Sequence, residues 1–253
     1  MGYDKELYHF TTLENALKIL LSEEFITSSF CNADDPKEYD MANLLNELLQ
    51  FGATSIEDFI YNNYRYISFS SHIVDKKTSY NGVDRPRMWA QYADNFKGVC
   101  VVFDRDKIKK MCKQKNAWIY KISYKKVVSF GNGSYIKLED YKDKYNFIDT
   151  IKSKLFFTKT DDWASEDEVR IVFNSVDSIP IKGLIKRIVF GLHINKNLSK
   201  GIKKMFSEIK LSSIELSKGR LNEIDDLDPK SIFYEEIFEK SSKMFRKISE
   251  QKS

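Results

Sequence analysis

The sequence predicts an α+β fold in a single domain, and three observations carry that expectation. Short runs such as 66–71 and 99–103 alternate or stay apolar, as strands do. Between them lie stretches with helical apolar spacing, such as Leu13, Ala16, Leu17, Leu20 and Leu21. No internal repeat or low-complexity linker divides the 253 residues, so 1–253 is expected to form one unit. A chain of that length can bury a sizeable core.

Taken in order, Leu7, Tyr8, His9 and Phe10 read as a first strand. Thr11 and Glu14 have capping-box spacing ahead of the first helical stripe. His9 thus falls at a strand-to-helix junction, where exposed N–H groups favour anions, although a histidine there is more often structural. Residues 25–30 read as a second strand. Asp34, Asp35 and Pro36 break the chain before a helix carrying Tyr39, Met41, Leu45 and Leu48. Ser55 and Asp58 cap another helix with Ile56, Phe59 and Ile60. In 66–71, alternation places Tyr66, Ser68 and Ser70 on one face and Ile67 and Phe69 on the other. Hydroxyls on an inner strand face call for a neighbour or a ligand to bond.

Residues 72–86 are polar and read as a loop over a site. Pro86 opens a helix bearing Met88, Trp89 and Tyr92 that ends before Gly98. A buried strand at 99–103 follows, and Asp104 caps a basic helix over 105–113. Strands are expected over 117–124 and at Val127 and Val128, then a turn at Gly131 and Gly133 and a helix over much of 138–157. Beyond a strand near 168, further strands are expected at 184–190 and 212–216, with a helix through Ile202, Met205 and Ile209 between them. Residues 232–253 read as a C-terminal amphipathic helix that closes the domain.

Composition narrows the function classes. The chain is 42% hydrophobic and 31% charged, an ordinary globular balance, and its 14% aromatic share argues against disorder. A net charge of +4 is too small to predict nucleic-acid binding by itself. Cys31, Cys100 and Cys112 form no C-x-x-C pair, which suits a reducing compartment. His9, His72 and His193 are scattered, so no metal is expected. No apolar run approaches the roughly 20 residues that span a bilayer, and the N-terminus has no signal-peptide pattern. The expected location is cytoplasmic, with no membrane partner.

The stretch 163–173 carries the strongest chemical signal. In a strand, Glu166, Glu168 and Arg170 would project from one face. Asp167 would point the other way with Val169, Ile171 and Phe173. Two carboxylates beside a guanidinium are costly to bury idle, and such a cluster can hold a sugar hydroxyl or stabilise a developing cation. The plainer reading is a solvated strand face with a weak ion pair. No Walker-type loop and no G-x-G-x-x-G is present, so a nucleotide would be bound outside those folds.

Several motifs occur together in one order: the strand at 7–11, Asp34, Asp35 and Pro36, then Ser68 and Ser70. Met88, Trp89 and Tyr92 with Gly98 follow, then Trp163, Glu166, Glu168 and Arg170, and finally 185–191. In this order the chain resembles the bacterial domain of unknown function twenty-nine seventy-one, with Asp34 standing where that family is expected to have Asn. A more distant resemblance is to ADP-ribosyltransferases, through His9, the Ser68-x-Ser70 strand and Glu166-x-Glu168. It implies a mixed, split β-sandwich flanked by helices, and NAD as a substrate without a metal. Carried over residue by residue, it makes Glu168 catalytic and has His9, Ser68 and Ser70 bind NAD. Glu166 joins Glu168 as a catalytic candidate, and Thr11, Trp89, Tyr92 and Arg170 join the NAD-binding set. No motif matches the ring that stacks on nicotinamide, for which Trp89, Tyr92 and Tyr66 are candidates on physical grounds.

The activity so implied is ADP-ribosyl transfer to a protein or nucleic acid, or NAD cleavage. Similar bacterial enzymes act as toxins, some restrained by an antitoxin, or in phage defence. The alternative is a non-catalytic module whose basic segments, 107–115 and 196–204, contact nucleic acid, or which binds a protein partner. Removal of phosphate from RNA by NAD-consuming chemistry would require more basic residues near His9.

Overall fold

A computed structural model of the chain describes residues 5–32, 53–71, 82–126 and 142–225. The helix expected through Tyr39, most of the loop at 72–86, Val127 and Val128, the turn at Gly131 and the helix at 232–253 lie outside them.

The architecture is α+β and built on a mixed sheet. Its strands are β1 (Glu6–Thr11), β3 (Ser28–Ser29), β4 (Tyr64–Ser70), β5 (Val99–Asp104), β6 (Trp118–Lys121), β9 (Glu168–Asn174), β11 (Ile185–Phe190), β12 (Lys210–Ser217) and β13 (Arg220–Asp225). Their order is β13-β12-β11-β5-β1-β4-β9-β6, with β3 added beside β4. Two short ladders complete the strands. One pairs β2 (Glu24–Ile26) with β10 (Ser178–Pro180), and the other pairs β7 (Ser123–Lys125) with β8 (Thr158–Thr160). The split sandwich expected from sequence is thus replaced by one hydrogen-bonded nine-stranded sheet. The halves nevertheless meet weakly, since β1 and β4 are joined through the single pair Tyr8–Ser70.

The helices are α1 (Leu13–Ser22), α2 (Ala53–Asn63), α3 (Pro86–Gln91), α4 (Arg105–Gln114), α5 (Lys144–Phe156) and α6 (Lys196–Met205). The cap of α1 is Thr12, one residue beyond the expected Thr11, and its hydroxyl accepts from Asn15 N–H at 3.2 Å. Thr11 is still paired to Val99 in β1, so it cannot leave the ladder to cap. Asp104 caps α4 as expected, accepting from the N–H groups of Asp106 and Lys107. The expected strand at 25–30 is cut by Thr27, whose hydroxyl turns to the carbonyls of Val176 and Asp177.

Apolar side chains fill both faces of the sheet. One face carries a continuous core of Leu7, Ile67, Phe69, Val101, Phe103, Val169, Ile171, Phe173 and Ile188, covered by α1, α4 and α6. On the other face two separate clusters form. Tyr64, Val172, Phe147, Ile151 and Phe156 gather under α5, and Tyr8, Phe10, Trp89, Cys100 and Val189 gather under α3. Gly191 lets the turn after α3 lie against the end of β11, for a Cβ there would clash with the Phe96 carbonyl oxygen. Between the two clusters runs a polar row.

Candidate functional site

Strand pairing builds that row. Ser68 lies opposite Arg170 and Ser70 opposite Glu168, so alternation puts all four on one face of β4 and β9. Arg170 and Glu168 share a face as the sequence predicts, with Val169, Ile171 and Phe173 buried on the other. Glu166 reaches the cluster by a different route. Residues Asp161–Glu166 form a 3-10 helix, and Asp167 takes a left-handed conformation at φ 45° before β9 starts at Glu168. The expected strand through Glu166 is therefore corrected to a helical turn that folds its carboxylate back. Asp167 does leave the pair: it meets Lys121 at 2.5 Å and Arg85 at 3.4 Å, and accepts from the Ser71 hydroxyl.

The cluster is tightly bonded. Arg170 donates to both oxygens of Glu168, Nε to Oε1 at 2.7 Å and Nη2 to Oε2 at 3.1 Å. Its Nη1 donates to the Phe156 carbonyl at 2.9 Å, and its guanidinium stacks 4.9 Å from the Tyr66 ring. The Ser68 hydroxyl donates to Glu168 Oε1 at 2.5 Å. Lys159 Nζ touches Glu168 Oε2 at 2.9 Å and Glu166 Oε2 at 3.0 Å, and Tyr92 donates to Glu166 Oε1. Glu168 and Arg170 are 3% and 1% exposed, which makes this a buried network rather than a solvated strand face. Burial works to raise the Glu168 pKa, but Arg170, Lys159 and Ser68 outweigh it and hold the carboxyl well below the usual range.

A cavity of about 180 Å³ adjoins the cluster, lined by Ser68, Ser70, Lys159, Glu166, Glu168 and Arg170 together with Tyr66, Tyr92, Phe25 and His9. It opens where the sheet is incomplete. On that edge of β4, Tyr66 pairs with Ser28 of β3 and Ser70 pairs with Tyr8 of β1. Among the described residues, 67–69 between them have no strand partner on that side. The His9 ring fills part of the gap, its Nδ1 lying 3.1 Å from the Ser68 carbonyl oxygen. A carbonyl only accepts, so Nδ1 carries the hydrogen and Nε2 is the ring's acceptor when neutral. Burial lowers the His9 pKa to about 4, against the upward pull of the Ser68 carbonyl.

The sequence-derived residues divide accordingly. Glu166, Glu168, Ser68, Ser70, Tyr92 and Arg170 come together on one face. His9 lines the cavity from the opposite face of β1, with its ring edge-on to Phe25 at 4.7 Å. Trp89 is wholly buried, its indole N–H donating to the Val83 carbonyl and its ring packed on Phe10 at 5.2 Å. Thr11 is buried at the end of β1; neither it nor Trp89 lines the cavity. Lys159 was missed from sequence. The only signal was one lysine in Thr158–Thr160, a segment too short to show a period.

The fold and this site define an α+β protein with a charge-balanced, aromatic-rimmed cavity at a gap in a mixed sheet. Residues 88–171 match the model of a family described as Protein of unknown function (DUF2971). That span includes Trp89, Tyr92, Lys159, Glu166, Glu168 and Arg170, and over it the resemblance read from the motifs holds. No curated protein matches the chain. Among the described residues, no helix is long and apolar enough to cross a membrane, and no group of three or more His, Cys, Asp or Glu could hold a metal.

Proposed function

We propose that the chain cleaves NAD at the nicotinamide–ribose bond and passes ADP-ribose to a macromolecular acceptor or to water. The observation that carries this reading is Glu168, held ionised at the start of β9 on the wall of the cavity beside Ser68. When the C1′–N1 bond breaks, its electron pair neutralises the nicotinamide ring and leaves an oxocarbenium-like ribose. A fixed carboxylate stabilises that cation electrostatically. An acceptor hydroxyl, amine or water then bonds C1′ and gives up its proton. Tyr66 and Tyr92 supply aromatic surface for a flat cationic ring, a contact worth about 0.5–2 kcal/mol. Neutral His9 offers Nε2 to a ribose hydroxyl from the other side of the gap.

The assay is nicotinamide release from NAD by purified protein, alone and with cell lysate. Wild type should release nicotinamide. Glu168→Gln, confirmed folded by circular dichroism at the assay temperature, should lose at least about a hundredfold in rate. Stimulation by lysate would indicate an acceptor. No release in either condition, with no NAD-induced thermal shift, sinks the reading.

One observation favours a second reading, a non-catalytic module that binds nucleic acid or a protein: both Glu168 oxygens are already occupied by Arg170 and Lys159. On that reading the ion network is structural and basic segments such as α4 make the contacts. Nucleic-acid affinity would then fall steeply with salt and be indifferent to Glu168→Gln.

A further inference from the structure

Glu166 and Glu168 face the same side of one cavity, and two carboxylates sharing a site do not both ionise readily, because each raises the other's affinity for a proton. Arg170 grips Glu168 with two nitrogens and donates to the Phe156 carbonyl with a third. The single ammonium of Lys159 contacts both carboxylates, at 3.0 and 2.9 Å. It is 7% exposed, and the Trp163 ring lies 5.1 Å from Nζ. An ammonium screened from water and bounded by an aromatic face acts on nearby charges through a low effective dielectric, so its influence is large.

We propose that Lys159 is a positioning residue of this site: its ammonium, set between Glu166 and Glu168, holds Glu168 as a full negative charge toward the cavity despite the second carboxylate beside it. Lys159 itself does not touch the reacting atoms. It acts through Glu168, and in that sense its role in catalysis rests on the NAD-cleavage reading. Its effect on ionisation does not.

The neighbours facing the pair fit this role. Tyr92 donates to Glu166, Ser68 donates to Glu168, and Arg170 flanks Glu168. The Tyr124 hydroxyl accepts from the Glu168 backbone N–H at 2.9 Å, and burial keeps that phenol protonated well above neutral pH. His9 approaches from the other face and is uncharged near neutrality. Arg85 also reaches Glu166, but through its backbone, donating to the carbonyl oxygen at 2.8 Å.

The test follows glutamate carboxyl carbon signals by NMR across pH 5–8 in uniformly folded protein, with Glu166→Gln and Glu168→Gln assigning the two resonances. In wild type the Glu168 carboxyl should not titrate in that window. In Lys159→Met it should, its midpoint raised by roughly one unit or more above an ordinary glutamate. Lys159→Arg, which keeps the charge, should restore the flat wild-type response. Lys159→Met/Glu166→Gln should also restore it, because the repulsion leaves with the second carboxylate. If Glu168 stays ionised throughout in Lys159→Met, the proposal is overturned.

Should Lys159→Met alone fail to fold, the double variant decides. A folded double variant supports the charge argument. One that stays unfolded shows the lysine is needed for packing and overturns it. Nicotinamide release is the second readout: Lys159→Met should lose about threefold or more in rate between pH 8 and pH 5 while wild type does not. Flat titration in wild type with no nicotinamide release at any pH would remove the NAD reading and leave the role of Lys159 standing.

Discussion

Arg170 and Arg187 each grip a glutamate with two nitrogens, and the two pairs are nearly superimposable as chemistry. Arg187 donates to Glu223 through Nε at 2.6 Å and Nη2 at 2.9 Å, much as Arg170 does to Glu168. Their surroundings separate them. The third nitrogen of Arg187 meets a second carboxylate, Glu6, at 2.7 Å, and Lys186 also reaches Glu6. The third nitrogen of Arg170 meets a backbone carbonyl, so Glu168 draws on another cation, Lys159, which it shares with Glu166. The Arg187 and Glu223 side chains are 14% and 24% exposed, and neither lines the cavity. A bidentate Arg–Glu pair is thus not in itself a sign of a site. The cavity, the second carboxylate and the aromatic rim make the difference.

The comparison can be broken most directly at its buried end. Glu168→Gln leaves Arg170 facing an amide in a dry environment, and urea unfolding should show a loss of about 3–5 kcal/mol. The plainer reading of the sequence, a solvated strand face with a weak ion pair, would have expected little loss. The counterpart, Glu223→Gln, removes charge-assisted bonds from Arg187 and Ser212 but leaves Arg187 its contact with Glu6. It should cost about 1.5 kcal/mol and leave nicotinamide release unchanged. Equal stability losses for the two variants would show that burial does not distinguish the clusters.

A further expected effect is a pH dependence that separates the cavity histidine from the carboxylates. His9 has its pKa lowered from 6.5 to about 4, so the unfolded chain takes up a proton that the folded one refuses. Stability is full above about 6.5 and should fall toward pH 4, by at most about 1.4 kcal/mol per pH unit. Glu6, lowered from 4.5 to about 2 by its arginine and lysine partners against the effect of burial, contributes stability above 4.5 that is lost only below it. Urea midpoints at pH 7, 6 and 5 should therefore decline in wild type and decline less in His9→Asn. Identical slopes would remove His9 as the group responsible.

How much of this was legible in the chain varies by residue. The period of two in β9 and β4 set Arg170 with Glu168 and aligned Ser68 with Ser70, because side-chain direction in a strand is fixed locally. Asp104 announced its helix by the same local logic. Local periodicity failed at Glu166, where the left-handed Asp167 interrupts the strand and a 3-10 turn returns the carboxylate to the cluster. Trp89 was a candidate for stacking through its aromatic character alone, and its burial against Phe10 was not visible from its spacing.

The sequence by itself determined the α+β class, the faces of the central strands and the presence of paired carboxylates beside an arginine. Tertiary structure decided which groups meet them. Lys159 lies seven residues before Glu166 and Tyr92 seventy-four before it, and only the folded backbone brings both to its carboxylate. The gap that forms the cavity has the same origin. It arises because β4 exchanges one neighbour, β3, for another, β1, and the register of three strands remote in sequence leaves residues 67–69 between them without a strand partner among the described residues. Alternation within a strand is a property of a few consecutive residues; the identity of the neighbouring strand is a property of the whole chain.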